Sequence, residues 1–225
     1  MKKIIVIIIG VLIAKQVNSQ TVVGVNVDLG NGNAIGATDP FYTTQALAWG
    51  IGADLLLNTS KRFNLKLNIG FQQKGYIENF KGTFYGNPYP VFIGNELIIT
   101  NVTQNCLHLD LGFRFNILNK KNKLFIDASM CNNMVLSTHN SRKVNNILIA
   151  KEFNSSLTSP YYVSANIGIG FNFNSIFSIT VFTNPAITSV SDTYYSKRIN
   201  MFGINLNYYL PIFGNKKAKT PVTTP

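Results

Sequence analysis

The chain has 225 residues, of which 46% are hydrophobic and only 13% charged, and its formal net charge is +11. That length suits one domain, and no run beyond the N-terminus approaches the roughly 20 uninterrupted apolar residues of a membrane-spanning helix. The positive charge does not point to nucleic acid, because it is gathered in an N-terminal export signal, two short turns and a tail.

The N-terminus reads Met1-Lys2-Lys3, then an apolar run over 4–14, then Val17-Asn18-Ser19 before Gln20. A basic start, an apolar stretch too short to span a bilayer and a small-residue site predict a signal peptide over 1–19, cleaved after Ser19. No cysteine follows the apolar run, so no lipid anchor is expected there. The mature chain is expected to form a barrel domain over 20–212, followed by a basic periplasmic tail over 213–225 that carries Lys216, Lys217 and Lys219.

Eight segments of alternating apolar and polar residues follow, at 22–29, 47–57, 63–76, 97–117, 124–136, 161–173, 177–190 and 199–210. The third shows the pattern best: Phe63, Leu65, Leu67, Ile69 and Phe71 alternate with Asn64, Lys66, Asn68, Gly70 and Gln72. Successive strand side chains point to opposite faces, so this period of two makes one greasy and one polar face. Short polar turns at 58–62, 118–123 and 174–176 alternate with longer connections at 31–45, 77–96, 138–160 and 191–198. An even strand number with short turns on one side and long loops on the other predicts an all-β, eight-stranded antiparallel up-and-down transmembrane β-barrel. A soluble eight-stranded barrel would turn its greasy face inward; the charges and glycines of the polar face here suit a lumen instead. Pro185 interrupts the seventh segment, which predicts a bulge or a strand already clear of the membrane. Leu97-Ile98-Ile99 breaks the alternation and is expected to belong to an extracellular extension.

Assigning faces puts Val25, Val27, Trp49, Ile51, Leu109, Leu111, Ile167, Ile169, Phe202 and Ile204 outward, with Trp49, Phe63, Phe115, Tyr161 and Tyr208 near strand ends as aromatic girdles. Inward go Asp28, Asp54, Lys66, His108, Asp110, Arg114 and Asp127, read as structural charges of the lumen. Tight turns fix hairpin register: a turn centred near Ser60 places Asp54 opposite Lys66, and one centred at 120–121 places Arg114 opposite or diagonal to Asp127. Buried charges need partners, and these pairs would supply them. Eight strands leave a lumen just wide enough for its side chains, so it is expected to be filled. Cys106 and Cys131 fall inward on adjacent strands but offset by two to four residues, too far for a disulfide.

Catalysis is not expected. His108 and Asp110 lie two apart on one strand, and His139, Ser137, Ser141 and Asp192 on the outer rim show no spacing motif. No His, Cys and carboxylate cluster offers a metal site, and no cofactor is expected.

The segment Phe71-Gln72-Gln73-Lys74-Gly75-Tyr76, the strand Leu107 to Phe115, the run Ile167-Gly168-Ile169-Gly170-Phe171 and the closing Phe202 to Tyr208 resemble the outer-membrane β-barrel domain common in Bacteroidetes, often called PorT-like. His108 and Asp110-Leu111 stand where that family has Glu and Pro, so no role of those residues carries over. The resemblance implies an integral outer-membrane barrel and, through the named member, a link to protein export. The expected function is a non-enzymatic structural or surface-interaction barrel with a plugged polar lumen. Its loops at 77–96 and 138–160, and tips such as Phe84-Tyr85 and Tyr194-Tyr195, would meet partners. The alternatives are an accessory subunit of a secretion or gliding machinery and a lipid-modifying or proteolytic surface enzyme. The expected partners are outer-membrane lipid and envelope proteins, with no nucleic acid, and the barrel is expected to be a monomer.

Overall fold

Alternation of side chains builds strands here because each segment must satisfy its backbone while turning one apolar face outward. The computed structural model describes residues 21–35, 41–57, 62–81, 84–85, 91–92, 97–118, 123–153, 160–173, 176–189 and 197–213. The signal segment, the tail lysines Lys216, Lys217 and Lys219, and Asp192, Tyr194 and Tyr195 lie outside the described residues.

The strands are β1 (Thr21–Ile35), β2 (Phe41–Leu57), β3 (Phe63–Lys81), β4 (Phe84–Tyr85), β5 (Val91–Phe92), β6 (Leu97–Asn116), β7 (Lys123–Val144), β8 (Ile147–Phe153), β9 (Tyr161–Phe173), β10 (Phe177–Asn184) and β11 (Arg198–Phe213). β1, β2, β3, β6, β7, β9, β10 and β11 pair antiparallel in a closed ring, sealed between β1 and β11. Closure leaves no free edge in the ring, which is what a strand structure in hydrocarbon requires. β4 and β5 form a two-residue ladder within the connection between β3 and β6.

The barrel is inside out relative to a soluble one. Val25, Leu29, Ile51, Ile69, Leu111, Ile169 and Phe202 are exposed on the outer wall, while Asp54, Lys66, Asp110, Arg114 and Asp127 are buried inside. At the short-turn end the wall carries aromatic rings: Phe63 stacks on Phe113 at 5.1 Å, and Phe173 lies 4.7 Å from Phe171 and 6.0 Å from Phe177. At the other end a row of polar side chains crosses four strands on the outside. Trp49 Nε1 donates to Gln73 Oε1 at 2.7 Å, Gln73 Nε2 to Asn105 Oδ1 at 3.0 Å, and Asn105 Nδ2 to Ser137 Oγ at 2.9 Å. Between Phe63 and Gln73 the wall is apolar over about ten residues, a band about 25 Å tall at 3.3 Å per residue and a tilt of about 40°. That is the height of the apolar belt of a transmembrane barrel, and the wall spans a membrane there.

Most strands on the long-loop side run further than the alternation suggests. β1 continues to Ile35, β2 begins at Phe41 and β3 reaches Lys81, while β6 starts at Leu97 as the fourth segment does, with Leu97-Ile98-Ile99 in the strand. The third long connection, expected over 138–160, is chiefly a hairpin: β7 runs to Val144, turns at Asn145-Asn146, and returns as β8. Both turn residues have positive φ, 48° and 69°, the type I′ geometry that matches strand twist and that Asn tolerates. His139 and Ser141 are therefore strand residues. β10 stops at Asn184 just before Pro185, not at Val190, and the chain stays tied to β9 by an Ala165 N to Pro185 O bond of 2.9 Å.

Candidate functional site

The lumen is the chemically richest part of the molecule, and three strands build its lowest layer. Arg114 of β6 faces Asp127 of β7 in the ladder, as the turn at 118–123 requires. Its Nε and Nη2 donate to the two Asp127 oxygens at 2.7 and 2.8 Å. Lys66 of β3 reaches the same carboxylate at 3.0 Å. The guanidinium lies 3.6 Å above the Phe125 ring and 5.7 Å from that of Tyr209. Gly170 makes room for this stack, since a Cβ there would sit 2.3 Å from the Phe125 ring. One carboxylate thus compensates two buried cations.

Asp54 does not face Lys66. The register sets Asp54 against Asn68 and Lys66 against Leu56, and Asp54 accepts from Asn68 Nδ2 at 2.6 Å. The same Asn68 accepts from His108 Nε2 at 2.6 Å. Asp28 accepts from Asn205 Nδ2 at 2.5 Å, and Asp110 from Asn166 Nδ2 at 3.3 Å. The lumen therefore sorts its aspartates: Asp127 bonds to cations and the other three accept from carboxamides. A cavity of about 20 Å³ remains between Asp28, Lys66, Asp110, Asp127 and Asn166, room for about one water.

Above this layer Lys74 donates to Asn133 Oδ1 at 3.2 Å and Asn184 Oδ1 at 3.3 Å, with its Nζ 4.9 Å from the Tyr162 ring centre. Lys74, Asn133 and Tyr162 were not picked out from the sequence as lumen residues, although each shares the parity of its strand's inward set. Higher still, Ala34, Tyr76, Val102, Cys106, Tyr162, Ala186 and Ile199 form an apolar cluster across the bore. At the rim Lys197 forms an ion pair with Glu78 and lies 5.7 Å from the Tyr76 ring centre. Apolar packing thus lies on the long-loop side of the polar middle and the Arg114–Phe125–Tyr209 stack on the other.

His108 is buried against Asn68, and its hydrogen bond is to that amide, not to Asp110. Cys106 lies opposite Val135 and Cys131 opposite Asp110, and both thiols are free and buried. Among the described residues no group of three His, Cys, Asp or Glu side chains could hold a metal ion.

Beyond the lumen, the long-loop side of β3, β6 and β7 stands above the polar row together with β8 as a projecting sheet. Its tip is anchored to β6, where Asn145 N donates to Leu97 O at 2.9 Å and Leu97 N donates to Asn145 Oδ1 at 3.1 Å.

No protein-family model matches the chain, and no curated protein matches it. Solved structures similar to it include Ail, the attachment invasion locus protein of Yersinia pestis, at 11% identity and a TM-score of 0.43 over 85% of this chain and 99% of that one. A structure of Ail in complex with the heparin analogue sucrose octasulfate is similar with the same identity, score and coverage. Neisserial surface protein A is similar at 8% identity and a TM-score of 0.44, over 83% of this chain and 96% of that one.

Proposed function

We propose that this protein is a monomeric, non-enzymatic integral barrel of the outer membrane, exported by its cleaved signal over 1–19, with a plugged lumen and a surface-interaction role. The observation that carries the reading is the pairing of a filled bore with a projecting rim. Side chains and their hydrogen bonds occupy the lumen, apolar packing crosses it, and among the described residues strands continue past the lipid belt on the long-loop side only. A barrel that neither conducts nor catalyses has its outward-facing strands left to act with. Membership of the Bacteroidetes-type PorT-like family is part of the same proposal and rests on the short motifs of β3, β6, β9 and β11.

Two results test it. A cysteine introduced by Asn145→Cys is expected to react with a membrane-impermeant maleimide on intact cells, while one introduced by Arg62→Cys at the short-turn end reacts only after the envelope is opened. Buried Cys106 and Cys131 should not contribute. Labelling at position 62 alone would invert the orientation and end the surface reading. In planar lipid bilayers the purified protein is expected to show no steady conductance, because side chains fill the bore and the cavity between Asp28, Lys66, Asp110 and Asp127 has room for about one water. Stable ohmic channels from the folded protein would overturn the plugged lumen.

A further inference from the structure

β8 differs from every strand of the ring. It pairs only with the upper part of β7, and it ends the order of the sheet. Among the described residues no strand covers its outer side. Natural sheets blunt such an edge with charges, proline or a bulge. Here the edge carries Ile147, Leu148 and Ile149 at 70%, 46% and 56% exposure, with a bulge in the pairing but no proline. These aliphatics cannot be serving lipid. They lie beyond the polar row that ends at Ser137, and the turn between Val144 and Ile147 stands about 15–20 Å above it at the rise and tilt used above.

The backbone is presented in order. A two-residue type I′ turn makes Val144 and Ile147 the hydrogen-bonded pair that closes the hairpin. Bonding direction alternates along an antiparallel strand, so the N–H and C=O of Leu148 point to the open side. The hairpin is held by β6 through the Asn145–Leu97 bonds and an Asn101 Nδ2 to Ser141 Oγ contact of 3.4 Å. A preformed edge has little ordering left to lose on binding. Its charge is predominantly basic as well: between 139 and 153 Arg142, Lys143 and Lys151 stand against one acidic residue, Glu152, and Arg142 and Lys151 are exposed.

We propose that the outer edge of β8 is a docking site for an extended polypeptide strand, aliphatic and acidic in alternation, taken up from outside the cell by strand addition. Main-chain bonds would supply affinity, the aliphatic row would fix the register, and Arg142 and Lys151 would select acidic residues. A second copy of the chain is the poorer occupant. Two barrels upright in one membrane are related by an axis along its normal, and their tilted edges would cross at about twice the tilt, roughly 70–90°. Strands crossing at that angle cannot share a ladder. The inference rests on the surface orientation proposed above, which the maleimide labelling tests separately.

The full chain in detergent micelles is titrated into a fluorescent, end-capped synthetic peptide in which valine and glutamate alternate, and anisotropy is read. Saturable binding is expected, about tenfold weaker for Leu148→Pro, which removes an outward donor, and for Ile149→Lys, which leaves the backbone intact. A peptide with N-methylated valines should also bind about tenfold more weakly, since its donors are blocked. Heat-modifiable mobility on gels confirms that each variant barrel is folded. No binding to the wild-type chain would overturn the proposal. So would binding that both variants and the N-methylated peptide leave unchanged, or a two-chain native mass that Ile149→Lys reduces to one.

Discussion

Asp127→Ala is expected to lower the stability of the barrel by about 3–5 kcal/mol in reversible urea unfolding from phospholipid vesicles. The size of the effect follows from what the carboxylate holds. Arg114 bonds to it twice and Lys66 once, and the three side chains are 2%, 8% and 8% exposed. Truncation leaves two cations in a confined interior with no carboxylate between them. The stack on Phe125 softens the loss for Arg114 but gives Lys66 nothing. A companion variant shows whether burial of charge is the cause. Replacing the trio together, by Lys66→Met, Arg114→Met and Asp127→Leu, removes the charges along with their need for one another. It should recover most of the lost stability, because a buried ionic group exchanged for apolar side chains of similar volume is often close to neutral. A cost below about 1 kcal/mol for Asp127→Ala would mean that water reaches Lys66 and Arg114. The filled lumen would fail with it.

The sequence made the faces legible but left one register ambiguous, and the reason is geometric. A slip of one residue moves every side chain to the wrong face, so the alternation rules it out; a slip of two restores the faces and passes unseen. The hairpin between β2 and β3 shows such a slip. Leu57 faces Leu65 rather than Phe63, and that moves Asp54 from Lys66 to Asn68. Arg114 lies opposite Asp127, one of the two placements that a turn centred at 120–121 allows. Lys66 consequently found its carboxylate on β7, two strands away from its own β3, a contact over β6 that no pattern along one hairpin can show.

Strand ends were lost for different reasons. Alternation is strict only where lipid lies on one side and the lumen on the other. Above the Trp49–Ser137 row the outer face turns polar, and the inner face turns apolar at Tyr76, Val102 and Ile199. The contrast that marked the strands therefore fades. Bulges add to this. Between Gln45 and Trp49, β2 has one residue more than β3, and β7 gains one beside Asn105–Cys106. The extra residue reverses parity, so the segments read as beginning at Leu47 and ending at Leu136. The Asn145-Asn146 pair was the remaining signal for the β7–β8 hairpin: two adjacent asparagines are suited to the positive φ of a type I′ turn.

Ile69→Arg should cost about 2–4 kcal/mol in the same vesicle assay, the depth-dependent cost of an arginine on the lipid face of a barrel. Ile69 is 58% exposed and lies between Phe63 and Gln73, with Ala53 and Leu109 opposite it on either side. It is thus near the middle of the apolar band, too deep for the guanidinium to reach either polar boundary without strain. Ile147→Arg provides the comparison, since Ile147 is 70% exposed and lies in the projecting hairpin. An exposed substitution in water usually changes stability by no more than about 0.5 kcal/mol. Exposure alone would rank Ile147 as the more accessible position and would give both substitutions the same small effect. Only a solvent that is hydrocarbon at one site and water at the other separates them. A soluble barrel would tolerate arginine equally at both, so the difference between the two variants decides what the outer wall faces.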